Sequence, residues 1–251
     1  MKTLISFLFL LLPYLSFSQT EQKLLDLAAK HEASLNETEA MNVYRQVLKI
    51  NANHYQALWK LSELYSRVGN RQPTTTQKQQ FFRTGKVYAQ QAIKIYPTGA
   101  DGYYALAVAM GRLALAESST KGKINAVKDI RTNAEMALKY NPNHGRAWHV
   151  LGKWHYEVAN LNFFERTAVK VMYGGFEPAS MEESIKAYER AKQLEPAFAL
   201  NYLELAKAYK ATGQKAKAVQ TLKQLANTPE KTADDKHTKQ EGNKLLKQLE
   251  G

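Results

Sequence analysis

One unit recurs four times along this chain, and no other feature of the sequence restricts its fold as much. The first half of each copy carries a leucine, at Leu61, Leu106, Leu151 and Leu205. The second half carries an alanine five residues before a proline: Ala92 and Pro97, Ala137 and Pro142, Ala191 and Pro196. From the second unit to the third both markers advance by 45 residues; from the third to the fourth the leucine advances by 45 and the alanine by 54. A unit that recurs with both markers in the same order means stacked helix pairs, none of which can bury its apolar face alone. Such arrays offer a concave surface to a partner and seldom do chemistry.

Helical periodicity fills the chain from residue 21 onward. Leu24, Leu27, Ala28 and Leu35 are expected on one face of a first helix. Asn36 and Glu39 read as the N-cap and capping partner of the next, which turns Ala40, Tyr44, Val47 and Leu48 inward. Tyr55 to Val68 carries Leu58, Leu61, Leu64 and Tyr65, with Gly69 as its stop. Ser180 and Glu183 read as a further capping box.

These residues resemble the tetratricopeptide repeat (TPR) family. Trp148, Leu151 and Gly152 match its first-helix motif, and Ser184, Tyr188, Ala191 and Pro196 its second. Tyr202, Leu205, Ala206, Tyr209, Gly213 and Ala218 give a further unit. The expected fold is all-α, a right-handed TPR-like solenoid of antiparallel helix pairs. Its units are 21–54, 55–99, 100–144, 145–198 and 199–232. Residues 233–251 are expected to form a capping helix, with Leu245, Leu246 and Leu249 covering the last apolar face.

Three units exceed the family's 34 residues, by about 11 in the second and third and about 20 in the fourth. The excess is expected between the two helices of each pair. In the second unit it is the polar stretch Asn70 to Gln80; in the third, Glu117 to Lys123 with Gly122 as a breaker. In the fourth it is an apolar stretch, 161–173, ended by Gly174-Gly175. That stretch fits a long first helix, a lid over a pocket or a membrane-surface helix.

Long helix pairs with this Gly-Gly-x2-Pro-Ala-Ser element also resemble the regulator of microtubule dynamics family, mostly over Trp148 to Tyr209. The resemblance implies a TPR domain. In eukaryotic members that domain belongs to membrane-anchored chains at organelle contacts, and one branch is associated with phospholipid binding and transfer.

Residues 1–18 have the pattern of a secretory signal peptide. Lys2 gives the positive start, Leu4 to Leu15 the apolar stretch, and Ser16-Phe17-Ser18 a small-residue cleavage site before Gln19. An exported, periplasmic or secreted bacterial relative is the expectation. The chain has no cysteine, so disulfides and thiolate catalysis are excluded and packing alone must hold the fold. Its 35 basic and 23 acidic residues give a formal net charge of +12. That excess favours an acidic partner, or it is a solvated helical surface. Residues 207–251 hold ten lysines against five acids but no arginine and no recognition motif, so nucleic acid is not expected.

The first helix of each pair should line the concave face. Register counted from the marker leucines places Trp59, Tyr104 and His149 there, followed by Arg67 and Arg112, with Lys153 and Arg146 beside them. Aromatic area beside guanidinium groups suits an acidic peptide or an anionic phospholipid head. Alternatively, Trp59 and Tyr104 pack between helices and the arginines pair with neighbouring carboxylates. No cofactor motif, catalytic constellation or metal spacing is present. The reading is an exported scaffold for a protein or acidic peptide, with phospholipid binding or a structural assembly role as alternatives.

Overall fold

The computed structural model describes residues 5–116, 120–162, 165, 167, 171 and 179–251, with the backbone alone for 5–18 and 120–125. These residues form eleven helices and no strand. In chain order they are α1 (Ile5–Ala33), α2 (Glu37–Ile50), α3 (Tyr55–Asn70), α4 (Thr75–Ile95), α5 (Ala100–Ala116), α6 (Thr120–Tyr140), α7 (Gly145–Ala159), α8 (Met181–Leu194), α9 (Ala199–Ala211), α10 (Lys215–Ala226) and α11 (Asp235–Glu250). Helices pair with their chain neighbours, and α3, α5, α7, α9 and α11 also meet in succession. The result is the TPR-like solenoid, with those five helices on the inner, concave side.

Each pair is close because small residues sit where the helices cross. Ala92, Ala137 and Ala191 are fully buried. A Cβ on Gly152 would stand 2.8 Å from the Tyr188 ring, so glycine is required for that approach. Consecutive units share four separate apolar clusters, as expected for nearest-neighbour stacking.

The hinge between units repeats one hydrogen bond. Tyr103 Oη, Trp148 Nε1 and Tyr202 Oη donate to the carbonyls of Pro97, Pro142 and Pro196 at 2.9, 2.8 and 2.9 Å. Proline ends the preceding helix pair, and the aromatic opening the next one occupies the carbonyl left exposed. His54 and His144 cap α3 and α7, each accepting from a backbone N–H at 3.2 Å through Nδ1.

The extra residues of the second and third units lengthen helices rather than loops. Helices α4 and α6 run 21 residues each, against 14 in α2 and α8. The polar stretch expected between helices shrinks to 71–74, because Thr74 and Gln77 form a capping box that starts α4. Gly122 lies in the first turn of α6 and breaks nothing. Gly69 does not stop α3, which continues to Asn70. A Cβ at Gly69 would come within 2.7 Å of Phe81 Cβ, so it is a packing glycine. Most of the apolar stretch 161–173, with Gly174-Gly175, lies outside the described residues; Val171 is 80% exposed.

Two further details depart from the sequence pattern. Leu27 faces solvent, and Leu25 joins Ala28 inside. Leu35 lies beyond α1 with φ 60°, in a turn that leads directly into the N-cap Asn36. The capping helix α11 is as expected: Leu249 is buried, and Leu245 and Leu246 pack on the last cluster.

Candidate functional site on the concave face

Charge on the inner surface divides between its two ends. At the N-terminal end, three carboxylates hold the cations. Glu32 accepts from Lys60 Nζ at 3.1 Å and Arg67 Nη2 at 3.3 Å. Buried Glu37 pairs with Arg67 and Arg71. Buried Glu63 pairs with Arg146 from α7 and accepts from Tyr104 Oη at 3.4 Å. Burial alone would raise the Glu63 carboxyl, but Arg146, Arg67 and Lys60 outweigh it and hold it at about 2.

Two of these pairs bridge distant units. Arg146 links α3 to α7 through Glu63 and reaches Glu195 Oε2 at 3.0 Å. Arg71, at the C-terminal end of α3, donates to Asp234 Oδ1 at 2.6 Å, just before α11. The superhelix is therefore wound tightly enough for its second unit to touch its cap.

Toward the C-terminal end, Glu204 Oε2 takes Lys153 at 2.6 Å and Glu204 Oε1 takes Lys207 at 2.8 Å. Burial raises Glu204, yet these two lysines lower it to about 2. His149 is buried between α7 and α9, with its Nδ1 3.0 Å from Asn201 Oδ1 and its ring against Tyr188 and Phe198. Burial pushes His149 down to about 4 against the Asn201 contact, so it is neutral at pH 7.

Beyond these pairs lies an open cleft of about 600 Å³ between α7, α9 and α11. Tyr156, Leu203 and Leu245 supply its apolar lining, and Lys207, Lys210, Lys244 and Glu241 its charged lining. Lys210 and Lys244 are exposed and make no ion pair among the described residues.

The seven residues singled out from sequence register are not one wall. Trp59 packs half-buried against Ala89, Ala105, Leu106 and Met110. Tyr104 and His149 are buried between successive first helices rather than lining open space. Arg67, Arg146 and Lys153 are held by the protein's own carboxylates. Arg112 alone among them is a cation with no ion pair among the described residues. Sequence reasoning missed the acidic partners Glu32, Glu37, Glu204 and Asp234, and the cleft residues Tyr156, Lys210 and Lys244. The available signal was Glu63, which occupies the register position of Lys153 and Lys207 with opposite charge.

Among the described residues no cluster of acidic and histidine side chains could hold a metal ion. No helix among them is long and apolar enough to cross a membrane.

Known proteins share this architecture. A thermophilic TPR protein of Thermus thermophilus superposes with a TM-score of 0.63 at 16% identity, over 89% of this chain and 98% of that one. The pilF protein of Pseudomonas aeruginosa does so at 0.52 and 13% identity, over 93% of both chains. At such identities the likeness is one of fold. Regulator of microtubule dynamics protein 3 of Xenopus laevis is 28% identical over 187 residues, 74% of this chain and 40% of that protein. Regulator of microtubule dynamics protein 1 of Bos taurus is 26% identical over 194 residues, 76% of this chain and 61% of that protein. The chain thus spans only part of the length of the curated relatives it matches. The family model for regulator of microtubule dynamics protein 1-3 matches residues 23–250, almost the whole helical array, and the chain belongs to that family.

Proposed function

We propose that this chain is an exported, non-catalytic scaffold whose concave face binds an acidic segment of a protein partner. The observation that carries this reading is the cleft of about 600 Å³ beside α9 and α11. Three amines stand around it against one carboxylate, and two of those amines have no ion pair among the described residues. A segment with carboxylates on either side of one large apolar side chain would satisfy both the amines and the apolar floor. A phospholipid fits less well. Leu203 is buried and Tyr156 and Leu245 are half-buried, so the floor has room for one apolar side chain and little for paired acyl chains. Export rests on the pattern of residues 1–18.

Fluorescence anisotropy with a short labelled peptide, one phenylalanine between glutamates, tests the binding reading. Binding should fall at least tenfold in the double variant Lys210→Glu, Lys244→Glu. Equal binding by wild type and variant would move the partner away from the cleft. Copurifying phospholipid in native mass spectrometry, with no peptide binding, would favour the lipid alternative. N-terminal sequencing of protein made with residues 1–18 should begin at or near Gln19 if those residues are cleaved.

A further inference from the structure

We propose that Arg112 is an anion subsite that receives a carboxylate of the bound segment, a refinement that rests on the concave-face reading above. Four arginines project onto this surface, and three are satisfied from within. Arg67 has Glu32 at 3.3 Å and Glu37 at 3.4 Å. Arg71 has Glu37 and, at 2.6 Å, Asp234. Arg146 has Glu63 and, at 3.0 Å, Glu195. Arg112, half-buried on α5, donates to the neutral Asn70 Oδ1 at 3.1 Å and has no ion pair among the described residues.

Its surroundings cannot supply the missing charge. The carboxylates that act on it are Asp234 and Glu204. Asp234 is engaged by Arg71, and Glu204 by both Lys153 and Lys207. Burial pulls all four guanidinium groups toward the neutral form. Carboxylates reverse that for Arg67, Arg71 and Arg146, whereas Arg112 stays below its ordinary value. A guanidinium has five N–H donors, and the Asn70 contact uses one. The remaining fork is free to take a carboxylate in bidentate fashion. It also lies on an inner helix, α5, against the end of α3 and within electrostatic reach of Glu204 on α9 and Asp234 before α11.

A structural tie between α5 and α3 is the rival explanation, and Arg112→Gln separates the two. The subsite predicts at least tenfold weaker binding of the acidic peptide, with a urea midpoint equal to or above wild type. A lower midpoint with unchanged affinity would overturn it. Arg112→Lys keeps the charge but not the fork and should also bind at least tenfold more weakly. Retained affinity in Arg112→Gln beside lost affinity in Lys210→Glu, Lys244→Glu would remove the subsite and leave the cleft reading standing. Sodium acetate, titrated against chloride at constant ionic strength, provides a test without peptide. A melting midpoint that rises in wild type and not in Arg112→Gln supports the subsite even if the peptide fails to bind. Equal shifts in both, or a response to phosphate alone, overturn it.

Discussion

The two ends of the concave face are built from the same repeat, yet they settle their charges in opposite ways. At the N-terminal end, Glu32, Glu37 and Glu63 are shared among Lys60, Arg67, Arg71 and Arg146, and each cation is held by at least one of them. At the C-terminal end, Glu204 is the buried carboxylate, and the cations continue past it through Lys207 to Lys210 and Lys244. Repeat register decides where a side chain points, but not which sign stands there or what faces it. One end has become a closed polar core, and the other retains positive charge for something outside the chain.

The largest effect that can break this contrast is at Glu63. Glu63→Gln takes away the buried counter-charge of Arg146, which keeps only the part-exposed Glu195, and is expected to cost about 3–5 kcal/mol in urea unfolding. Lys210→Glu with Lys244→Glu should stay within about 0.5 kcal/mol of wild type, since neither amine has an ion pair among the described residues. Comparable costs at both ends would show that the contrast is not energetic.

Acid separates the ends next. His149 has a folded value near 4, below its ordinary 6.5, because burial disfavours the cation. Its contribution is therefore complete above pH 6.5 and declines as pH falls toward 4, where the unfolded chain takes the proton more readily. The full loss is about 3 kcal/mol. Glu63 and Glu204 lie near 2, so their contributions hold above about 4.5 and are lost only as pH falls below that. Unfolding between pH 6.5 and 4.5 thus reports His149 alone among these three. His149→Gln should flatten that slope while leaving the steeper loss below pH 4.5. A slope unchanged by the substitution would place the titration elsewhere.

These contrasts also mark what the sequence could convey. Leucine and alanine–proline spacing reports periodicity, and periodicity sets the helix pairs; the alanines at the crossings and the cap leucines are where that pattern puts them. Insertions were misplaced because eleven extra residues are three helical turns, which the two helices of each pair, α4 and α6 most of all, absorb without leaving the helical pattern. The acidic half of the site was illegible for another reason. Arg71 and Asp234 are 163 residues apart and meet only through the accumulated twist of the array. No local pattern encodes that contact. Likewise Arg112 and Arg146 look alike in sequence, and only the fold shows that one has Asn70 and the other Glu63.

A smaller test uses two equivalent turns, one at each end. After α1, Leu35 N–H bonds to Glu32 O and Asn36 N–H to His31 O; after α9, Gly213 and Gln214 repeat the pattern with Lys210 and Tyr209. Both turn residues have positive φ, 60° at Leu35 and 74° at Gly213. Glycine adopts this conformation freely, whereas a residue with a Cβ does so at a cost of about 1 kcal/mol. Leu35→Gly and Leu35→Ala lose the same side-chain packing, so Leu35→Gly should be the more stable of the two by about 1 kcal/mol. Equal stabilities would mean that the backbone relaxes at the N-terminal turn.

The smallest expected effect lies at the contact that joins the two ends. Asp234 and Arg71 are both partly exposed, at 26% and 35% of their side-chain surface. Water screens such a pair, so Asp234→Asn should cost no more than about 1 kcal/mol and the difference should shrink as salt is added. Arg71 keeps Glu37, so the substitution leaves no orphaned cation at the N-terminal end. A nearest-neighbour array would then unfold with the same cooperativity, because the lost contact is not between adjacent units. A loss well above that, with a shallower urea transition, would mean that contact between the second unit and the cap makes one cooperative body of both ends. In that case the paired core at one end would help set the shape of the open cleft at the other.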